Sequence, residues 1–309
     1  MVNSDSFIHN KLESLIFDIQ RFSIHDGKGI RSVVFFKGCN LNCPWCQNPE
    51  SMDHRPEIAF YADKCKQHGD CVEACPVDAI NIGSETHIDR NLCDCCGKCT
   101  EVCVTGALKK IGTRYTVDEV MTQLLKDKPY YETSGGGVTF SGGEPSLHAD
   151  FILEVAKHCK KHGIHTNMET NGYFKWEKLK QLLPYLDQIY FDLKIVNQKR
   201  NRELLGGDSQ RILANMDLLL ENNAPVEFRI PLIPGHTTDD ENLNAMVRIL
   251  KEKGVSKIHL LPYHSMGEAK AERICSPLIK LDQKPFDTEQ LDEFRAHFER
   301  EHIETELYR

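Results

Sequence analysis

The sequence has no apolar stretch long enough to cross a membrane and no block of basic residues. A membrane-spanning helix needs about 18 consecutive apolar residues, and no run in the 309-residue chain approaches that length. The chain carries 38 basic and 46 acidic residues, a formal net charge of −8. Because binding to phosphates requires a cationic face, we expect neither a nucleic acid nor a membrane as partner.

The first residues, MVNSDSFIHNKLES, also lack the basic and apolar regions of a secretion signal. We therefore expect a cytoplasmic protein. The length suggests about two domains, and an apolar content of 40% is enough for a globular core.

Cysteine is abundant and unevenly placed: there are thirteen, and eleven of them lie between Cys39 and Cys103. Because the cytosol keeps thiols reduced, clustered cysteines favour metal ligands over disulfides. Cys159 differs, since it shares the apolar face of a predicted helix with Ile152 and Val155. We predict that Cys159 is a core residue.

Short β-branched or aromatic runs alternate with amphipathic runs, which predicts an α/β fold with a parallel sheet. The predicted strands are Leu15–Gln20, Ser32–Lys37, Val138–Ser141, His165–Glu169, Ile189–Ile195, Val226–Leu232, Lys257–Leu261 and Glu304–Tyr308. The predicted helices are Val117–Lys126, Asp150–His162, Trp176–Leu183, Ser209–Asn222, Asp239–Lys253 and Asp287–Glu301. Residues 55–112 interrupt this alternation and are predicted to form an inserted module.

The inserted segment contains two copies of one unit, CVEACPVDAI and CTEVCVTGAL. They match the bacterial two-cluster ferredoxin pattern C-x2-C-x2-C-x3-C-P, in which the fourth cysteine of each run binds the other cluster. The first predicted [4Fe–4S] cluster is held by Cys65, Cys71 and Cys103 with His68, and the second by Cys93, Cys96, Cys99 and Cys75. Val104 replaces the proline of the second run, and Cys95 is surplus.

His68 stands where the first run should have its second cysteine, and it has two interpretations. As a ligand, a neutral imidazole replaces a thiolate and raises the reduction potential, as histidine does in Rieske centres. Alternatively, His68 is a loop residue facing solvent, and the iron is held by Cys95 or by water, or is missing.

A separate motif, GCNLNCPWCQNPE, supplies Cys39, Cys43 and Cys46 directly after a predicted strand. A cubane cluster has four irons, so three thiolates leave one iron with an open position. An open position points to chemistry rather than electron storage. The alternative is a zinc site completed by a distant histidine, because the spacing also suits zinc loops.

The C-x3-C-x2-C spacing with an aromatic residue before the last cysteine resembles the radical S-adenosylmethionine (SAM) motif. Six segments in order are similar to the activating enzymes of glycyl radical enzymes, namely FDIQRFSIHDGKGIRSVVFFKGCNLNCPWCQNPE, SGGGVTFSGGEP, METNG, FDLK, RIPLIPG and LLPYH. The resemblance is to the pyruvate formate-lyase activating enzyme type, in the subgroup with an inserted two-cluster domain. It implies a partial (β/α)6 TIM-like barrel at 1–54 and 113–309, interrupted by a ferredoxin-like module at 55–112.

The implied reaction is anaerobic reductive cleavage of SAM, with removal of a Cα hydrogen from a glycine of a partner glycyl radical enzyme. That partner would be a lyase, dehydratase or decarboxylase. The implied cofactors are SAM and three [4Fe–4S] clusters, and the implied electron donor is a flavodoxin or a ferredoxin. Two alternatives are a radical SAM enzyme acting on a small molecule and a non-catalytic electron-transfer protein with several clusters.

The resemblance also implies residue roles. Cys39, Cys43 and Cys46 would hold the SAM-binding cluster. The implied SAM contacts are Trp45, Cys46, Gln47, Gly142, Gly143, Glu144, Glu169 with Thr170, Asp192, Leu193, Lys194, Arg229 and His264. Lys194 is also a catalytic candidate. The loop HDGKGIR matches the one that faces the target peptide, with Asp26 and Arg31 as candidate contacts and Lys28 where the family usually has proline.

Strand periodicity gives independent support for a polar pocket. Side chains on a strand alternate between faces, so Asp192 and Lys194 share one face, opposite the apolar residues of the same run. By the same alternation, one face of the preceding predicted strand carries Asn167 and Glu169, and one face of the following one carries Glu227 and Arg229. Buried charges are unfavourable unless paired or liganded, so a zwitterionic ligand explains them. The alternative is a sheet face exposed to water.

Overall fold

The described part of the chain is built around one large mixed sheet. The structure, a computed structural model, describes residues 12–83, 87–276, 278, 281 and 283–308. The strands are β1 (Glu13–Ser23), β2 (Arg31–Phe36), β3 (Glu57–Phe60), β4 (Leu108–Ile111), β5 (Thr113–Thr116), β6 (Gly137–Gly142), β7 (His165–Thr170), β8 (Gln188–Asp192), β9 (Val226–Leu232), β10 (Lys257–Pro262) and β11 (Glu304–Leu307). Residues 1–11 and 309, which belong to the predicted barrel parts, lie outside the described residues. Most of the N-terminal stretch that was searched for a secretion signal is among them.

The helices follow the strands in chain order. They are α1 (Asp70–Glu73), α2 (Lys98–Val102), α3 (Val117–Leu124), α4 (Lys128–Ser134), α5 (Ala149–Lys161), α6 (Trp176–Leu182), α7 (Gln198–Leu205), α8 (Ser209–Glu221), α9 (Asp240–Glu252), α10 (Met266–Arg273) and α11 (Thr288–Glu299). No helix in the described ranges combines the length and apolarity that a membrane crossing requires.

The main sheet has nine strands in the order β11-β10-β9-β8-β7-β6-β2-β1-β5. The strands from β2 through β6 to β11 are parallel, whereas β1 pairs antiparallel with both β2 and β5. Because consecutive parallel strands are joined through helices, their carboxyl ends meet at one edge of the sheet. The predicted α/β fold with a central parallel sheet is confirmed.

The helices cover one face of this sheet with apolar side chains. Ile189 and Phe191 of β8 lie in the same buried cluster as Val155, Ala156 and Cys159 of α5. In α9, buried side chains recur at the i, i+3, i+4, i+7 spacing of one helix face, at Leu243, Met246, Val247 and Leu250. The core position predicted for Cys159 is therefore confirmed.

Outside the cysteine-rich segment at 55–112, the sequence pattern missed three short helices and one strand among the described residues, for identifiable reasons. The α7 helix, QKRNRELL, buries only Asn201 and Leu205, so it has no apolar stripe to reveal it. The α4 helix spans seven residues and ends at Gly135 in the left-handed conformation. The α10 helix buries only Gly267 and Ala271, and the four-residue β5 is stabilised by pairing with β1 rather than by its own pattern.

The cysteine-rich segment, residues 55–112, has its own small core. The strands β3 and β4 form a separate two-stranded antiparallel sheet. A buried cluster of Ile58, Ile80, Ile88, Cys99 and Leu108 packs beside it. All thirteen cysteines are free thiols, so the structure contains no disulfide between them.

Candidate functional site

Charged side chains converge on the sheet face opposite the helices. Arg229 of β9 donates from Nε to Oδ1 of Asp192 at 2.7 Å and from Nη1 to Oε1 of Glu169 at 2.6 Å. Lys194, just beyond β8, donates to Oδ2 of Asp192 at 2.8 Å. On β6, which pairs with β7, the Ser141 hydroxyl donates to Oε2 of Glu169 at 2.6 Å. Three adjacent strands and their neighbour β6 therefore contribute to one polar network, as the alternation predicted.

The network is electrostatically balanced within itself. Burial opposes the charge on Asp192, but Arg229 and Lys194 together hold the pKa of this carboxyl below its usual range. Burial likewise opposes the charge on Lys194, and Asp192 raises the pKa of that ammonium. The site thus sets the cations of Arg229 and Lys194 against the carboxyl groups of Asp192 and Glu169, and each group can exchange its present partner for one end of a zwitterionic ligand.

The three cysteines of the C-x3-C-x2-C motif lie in the loop after β2, close to this network. Cys39 and Cys43 are near enough to Lys194 for its charge to act on their thiols. Burial raises the pKa of Cys39 to about 12 and also raises the pKa values of Cys43 and Cys46. Buried thiols become thiolates only when a cationic group binds them, so this donor set fits an iron–sulfur cluster.

The zinc alternative finds no support in the geometry. Zinc brings its ligands to about 2.0–2.3 Å from a single point. Within residues 12–83, 87–276 and 283–308, no group of three or more His, Cys, Asp or Glu side chains is arranged to hold one metal ion.

A cavity opens beside the motif, between its loop and α10. Its wall includes Trp45, Cys46, Gln47, Tyr263 and His264. The Gln47 amide donates from Nε2 to the carbonyl of His264 at 2.8 Å. Its Oε1 is buried and has no hydrogen-bond partner among the described residues. An acceptor left in this state suits an amino group of a ligand.

The GGE element, residues 142–144, lies at the end of β6, where the backbone packs closely against β2. A side chain at Gly142, where φ is +115°, would bring its Cβ to 2.3 Å from the Phe36 carbonyl oxygen. The Glu144 carboxylate is fully buried and accepts from the Ser146 N–H, the Thr170 hydroxyl and the Asn171 N–H. Its oxygens are committed to the protein, so it fixes the carboxyl ends of β6 and β7 relative to each other.

Leu193 differs from its neighbours in the DLK element. Its side chain is buried in the core cluster on the helix side of the sheet, whereas Asp192 and Lys194 point into the polar network. The Leu193 N–H donates to the Arg229 carbonyl at 2.8 Å. A side-chain contact with a ligand at the polar face is therefore incompatible with its position.

Arg31 is fully buried and holds the loop between β1 and β2 against the sheet. Its guanidinium donates to the Thr139 hydroxyl at 2.7 Å, the Val138 carbonyl at 2.6 Å and the Lys28 carbonyl at 3.2 Å. With these donors engaged, Arg31 anchors the loop. Asp26 remains partly accessible, and burial together with the nearby Glu169 raises its pKa.

A second cavity, of about 720 Å³, lies between this loop and the strands opposite. His25 and Lys28 lie on one side, and Tyr190, His259 and Tyr308 lie on the other. His259 is held by Glu227, with 2.6 Å between Nε2 and Oε2. This opening is polar and aromatic and reaches towards the network around Arg229, whose guanidinium stacks on Tyr190 at 4.8 Å.

In the cysteine-rich segment, the predicted ligands fall into two groups. One small cavity is lined by all four predicted ligands of the first cluster, Cys65, His68, Cys71 and Cys103. The remaining group surrounds Cys99, whose thiol interacts electrostatically with Cys93, Cys96 and Cys75. The chain thus brings together side chains that are up to 38 positions apart, as the ligand exchange between the two runs requires.

Sequence reasoning missed two residues of the site. Ser141 belongs to a strand whose alternation with Thr139 could have placed it on the polar face. Asn171 follows Thr170 in METNG and donates from its side chain to the Cys39 sulfur, with 3.7 Å between Nδ2 and Sγ. No periodic pattern marks Asn171, because it lies beyond the end of β7.

Comparison with known proteins gives matches along most of the chain. The model of the radical SAM superfamily matches residues 33–247. The isethionate sulfite-lyase activating enzyme of Nitratidesulfovibrio vulgaris is 38% identical over 273 residues, which are 86% of this chain and 89% of the relative. The trans-4-hydroxy-L-proline dehydratase activating enzyme of Clostridioides difficile is 37% identical over 301 residues, covering 96% and 99%. A solved domain of pyruvate-formate lyase-activating enzyme from Bacteroides vulgatus has a TM-score of 0.47 at 25% identity, covering 56% of this chain and 98% of that domain.

Proposed function

This chain belongs to the radical SAM superfamily, among the activating enzymes of glycyl radical enzymes, and we propose that it generates the glycyl radical of a partner enzyme. The family membership predicted from the motifs is confirmed. Similar relatives are named as activating enzymes of lyases, a dehydratase and decarboxylases. The observation that carries the proposal is the polar network around Arg229, which lies beside the three cysteines of the C-x3-C-x2-C motif.

Cys39, Cys43 and Cys46 would hold a [4Fe–4S] cluster with one open iron. When bound, the cluster would pass one electron from an external donor to SAM and so supply the radical chemistry that removes a hydrogen atom from a glycyl Cα. The chain's own part is to keep this chemistry in a buried setting: Cys43 is 8% exposed, and the Cys39 and Cys46 thiols lie deep enough for burial to raise their pKa values.

The surrounding residues would bind and orient SAM. Asp192 and Glu169 would receive its ammonium group, and Arg229 and Lys194 its carboxylate, because these groups already hold opposite charges at 2.6–2.8 Å. Gln47 Oε1 would accept from the adenine amino group in the cavity that Trp45 and His264 also line. The GGE glycines and Glu144 would act by fixing the ends of β6 and β7.

The cysteine-rich segment would carry two further [4Fe–4S] clusters that pass electrons from a flavodoxin or ferredoxin. Support comes from the gathering of Cys65, His68, Cys71 and Cys103 around one cavity. The exposed Cys96 indicates that the second group lies near the surface. An electron donor could therefore approach one of these clusters directly.

The target glycine would enter through the cavity beside the β1–β2 loop. The loop backbone is fixed by bonds from Thr139 and Asn167 to the Asp26 carbonyl, at 2.7 and 3.2 Å. Asp26 is close enough to Glu169 and Arg229 for their charges to act on it. A peptide held in this opening would thus lie next to the SAM-binding network.

The test is anaerobic incubation of the reconstituted, reduced protein with SAM and a candidate partner glycyl radical enzyme. We expect 5′-deoxyadenosine and a glycyl radical signal in electron paramagnetic resonance (EPR) spectra. Absence of 5′-deoxyadenosine would favour an electron-transfer protein. Turnover of a small molecule without the partner enzyme would favour the small-molecule alternative.

A further inference from the structure

The sulfur of Cys39 receives two N–H groups from the protein. The backbone N–H of Leu41 lies 3.5 Å from Sγ, and the side-chain amide of Asn171 lies 3.7 Å from it. Sulfur is a larger acceptor than oxygen, so both separations are hydrogen-bond distances. The Leu41 contact belongs to the cysteine loop itself, whereas Asn171 reaches the sulfur from the end of β7.

The orientation of the Asn171 amide is fixed by its other contacts. The Tyr173 backbone N–H donates to Oδ1 of Asn171 at 2.9 Å, so this end of the amide is the acceptor. The opposite end, Nδ2, therefore faces Cys39, and it also donates to Oδ1 of Asn40 at 3.0 Å. Exchanging the two ends would place an N–H against an N–H and an oxygen against the sulfur.

The backbone of Asn171 is held as firmly as its side chain. Its N–H donates to Oε2 of Glu144 at 2.8 Å, and Glu144 is fully buried. The Asn171 side chain is itself buried, with 7% of the residue exposed. The amide is thus preorganised towards Cys39 from a rigid strand end rather than carried by a flexible loop.

An N–H directed at a ligating sulfur changes the energy of reducing a cluster. Reduction adds negative charge that spreads onto the thiolate sulfurs, and an N–H dipole pointing at the sulfur stabilises it. Hydrogen bonds to the sulfurs are among the factors that set the potentials of iron–sulfur clusters. A donor at Cys39 therefore makes the reduced state easier to reach.

We propose that Asn171 is a positioning residue that raises the reduction potential of the SAM-binding cluster through its hydrogen bond to Cys39. The inference rests on the proposed cluster at Cys39, Cys43 and Cys46. The polar network of Arg229 contains no contact with Asn171 in the described residues, so its role is separate from binding the SAM amino and carboxylate groups.

The test compares Asn171→Ala with Asn171→Asp in the full, anaerobically reconstituted chain. Asp keeps an oxygen to accept from Tyr173 but replaces the donor with a negatively charged oxygen, whereas Ala removes both ends. The readout is a redox titration of the EPR signal that SAM alters, since SAM binds only the cluster with an open iron. Iron per chain is measured for each variant.

At a fixed applied potential, the ratio of reduced to oxidised cluster should fall about threefold in Asn171→Ala and about tenfold in Asn171→Asp, the latter equal to about 59 mV for one electron. A purely structural role predicts the reverse order, because Asp preserves the Tyr173 contact. Unchanged potentials in both variants, or a shift in Ala alone, would overturn the proposal. Where Ala loses iron, an unchanged potential in Asn171→Asp is enough to overturn the proposal. A wild-type signal that ignores SAM would instead contradict the proposed function.

Discussion

Lys37 and Glu57 form an ion pair where the cysteine-rich segment meets the main sheet, with 2.6 Å between Nζ and Oε2. The Lys37 side chain is fully buried, and Nζ also donates to the Glu50 carbonyl at 2.7 Å. Lys37 lies two positions before Cys39, and Glu57 is the first residue of β3. The pair therefore joins the loop that carries Cys39 to the cysteine-rich segment at 55–112.

Removing the carboxylate of this pair should destabilise the protein. Glu57→Ala leaves a buried ammonium without its counterion, so we expect the free energy of unfolding to fall by about 3 kcal/mol. Urea unfolding of the anaerobic protein measures it. Glu301→Ala is the control, because its partner Lys251 and Glu301 itself are about half exposed and such pairs contribute at most about 1 kcal/mol. Equal losses in both variants would contradict the role given to the pair.

The cysteines of the C-x3-C-x2-C motif should be required to bind the cluster, whereas the core cysteine Cys159 should not. Cys43→Ala removes one of three ligands, so we expect loss of the SAM-responsive EPR signal and of 5′-deoxyadenosine formation. Cys159→Ala is the matched control, because Cys159 is fully buried among apolar side chains. Iron content and SAM cleavage should be retained in the control. Retention of both in Cys43→Ala would contradict the assignment of the cluster.

Much of the site could be predicted because strand periodicity is local. The alternation around Asp192 and Lys194 gave the polar face, and the structure brings these residues to Arg229 on the neighbouring strand. The parallel sheet could be predicted for the same reason, since the residues within each run show which of its faces is apolar. Strand order and polar partners then follow from the pairing of neighbours.

The rest depends on contacts between distant segments, which no local pattern states. Arg31 resembles a peptide contact in sequence, yet its guanidinium is buried against Thr139. Leu193 lies within a motif but faces the core, because alternation places it opposite Asp192. The contact of Asn171 with Cys39 could not be predicted, because only the folded chain brings the end of β7 beside Cys39.

Arg229 should be required both for stability and for SAM binding. Arg229→Met leaves the carboxylates of Asp192 and Glu169 without their shared cation, so we expect about 3–5 kcal/mol lower stability and loss of the SAM-induced EPR change. Arg229→Lys should be intermediate, because one ammonium cannot reach both carboxylates as the forked guanidinium does. Wild-type SAM response in the Met variant would show that the network does not bind SAM.

His68 should behave as a cluster ligand. It lines the same small cavity as Cys65, Cys71 and Cys103. His68→Cys places a thiolate where a neutral imidazole stood, so we expect the potential of that cluster to become more negative. Redox titration of the cluster signal that is insensitive to SAM, together with iron per chain, measures the effect. Unchanged potential and iron content would indicate that His68 is a loop residue outside the cluster.

His148 gives the fold a dependence on pH. Its Nε2 lies 2.9 Å from the Lys37 carbonyl and must donate to it, so Nδ1 accepts from the Ser14 hydroxyl at 2.6 Å. These two bonds require the neutral imidazole. Burial lowers the pKa of His148, and this outweighs the opposite effect of its hydrogen bond to the Lys37 carbonyl.

Stability should therefore fall as the solution is acidified below the pKa of an unfolded histidine, about 6.5. There the unfolded chain binds a proton at His148 that the folded protein excludes, so unfolding is favoured more strongly as pH falls towards the lowered folded-state pKa. Well above pH 6.5, His148 is neutral in both the folded and the unfolded state, and its contribution to stability is fully present. Urea midpoints at pH 7.5 and pH 5.5 should differ less in His148→Gln than in the wild type, whereas the exposed His162 changed to Gln should leave the difference unaltered. An equal pH dependence in all three proteins would place the acid sensitivity elsewhere.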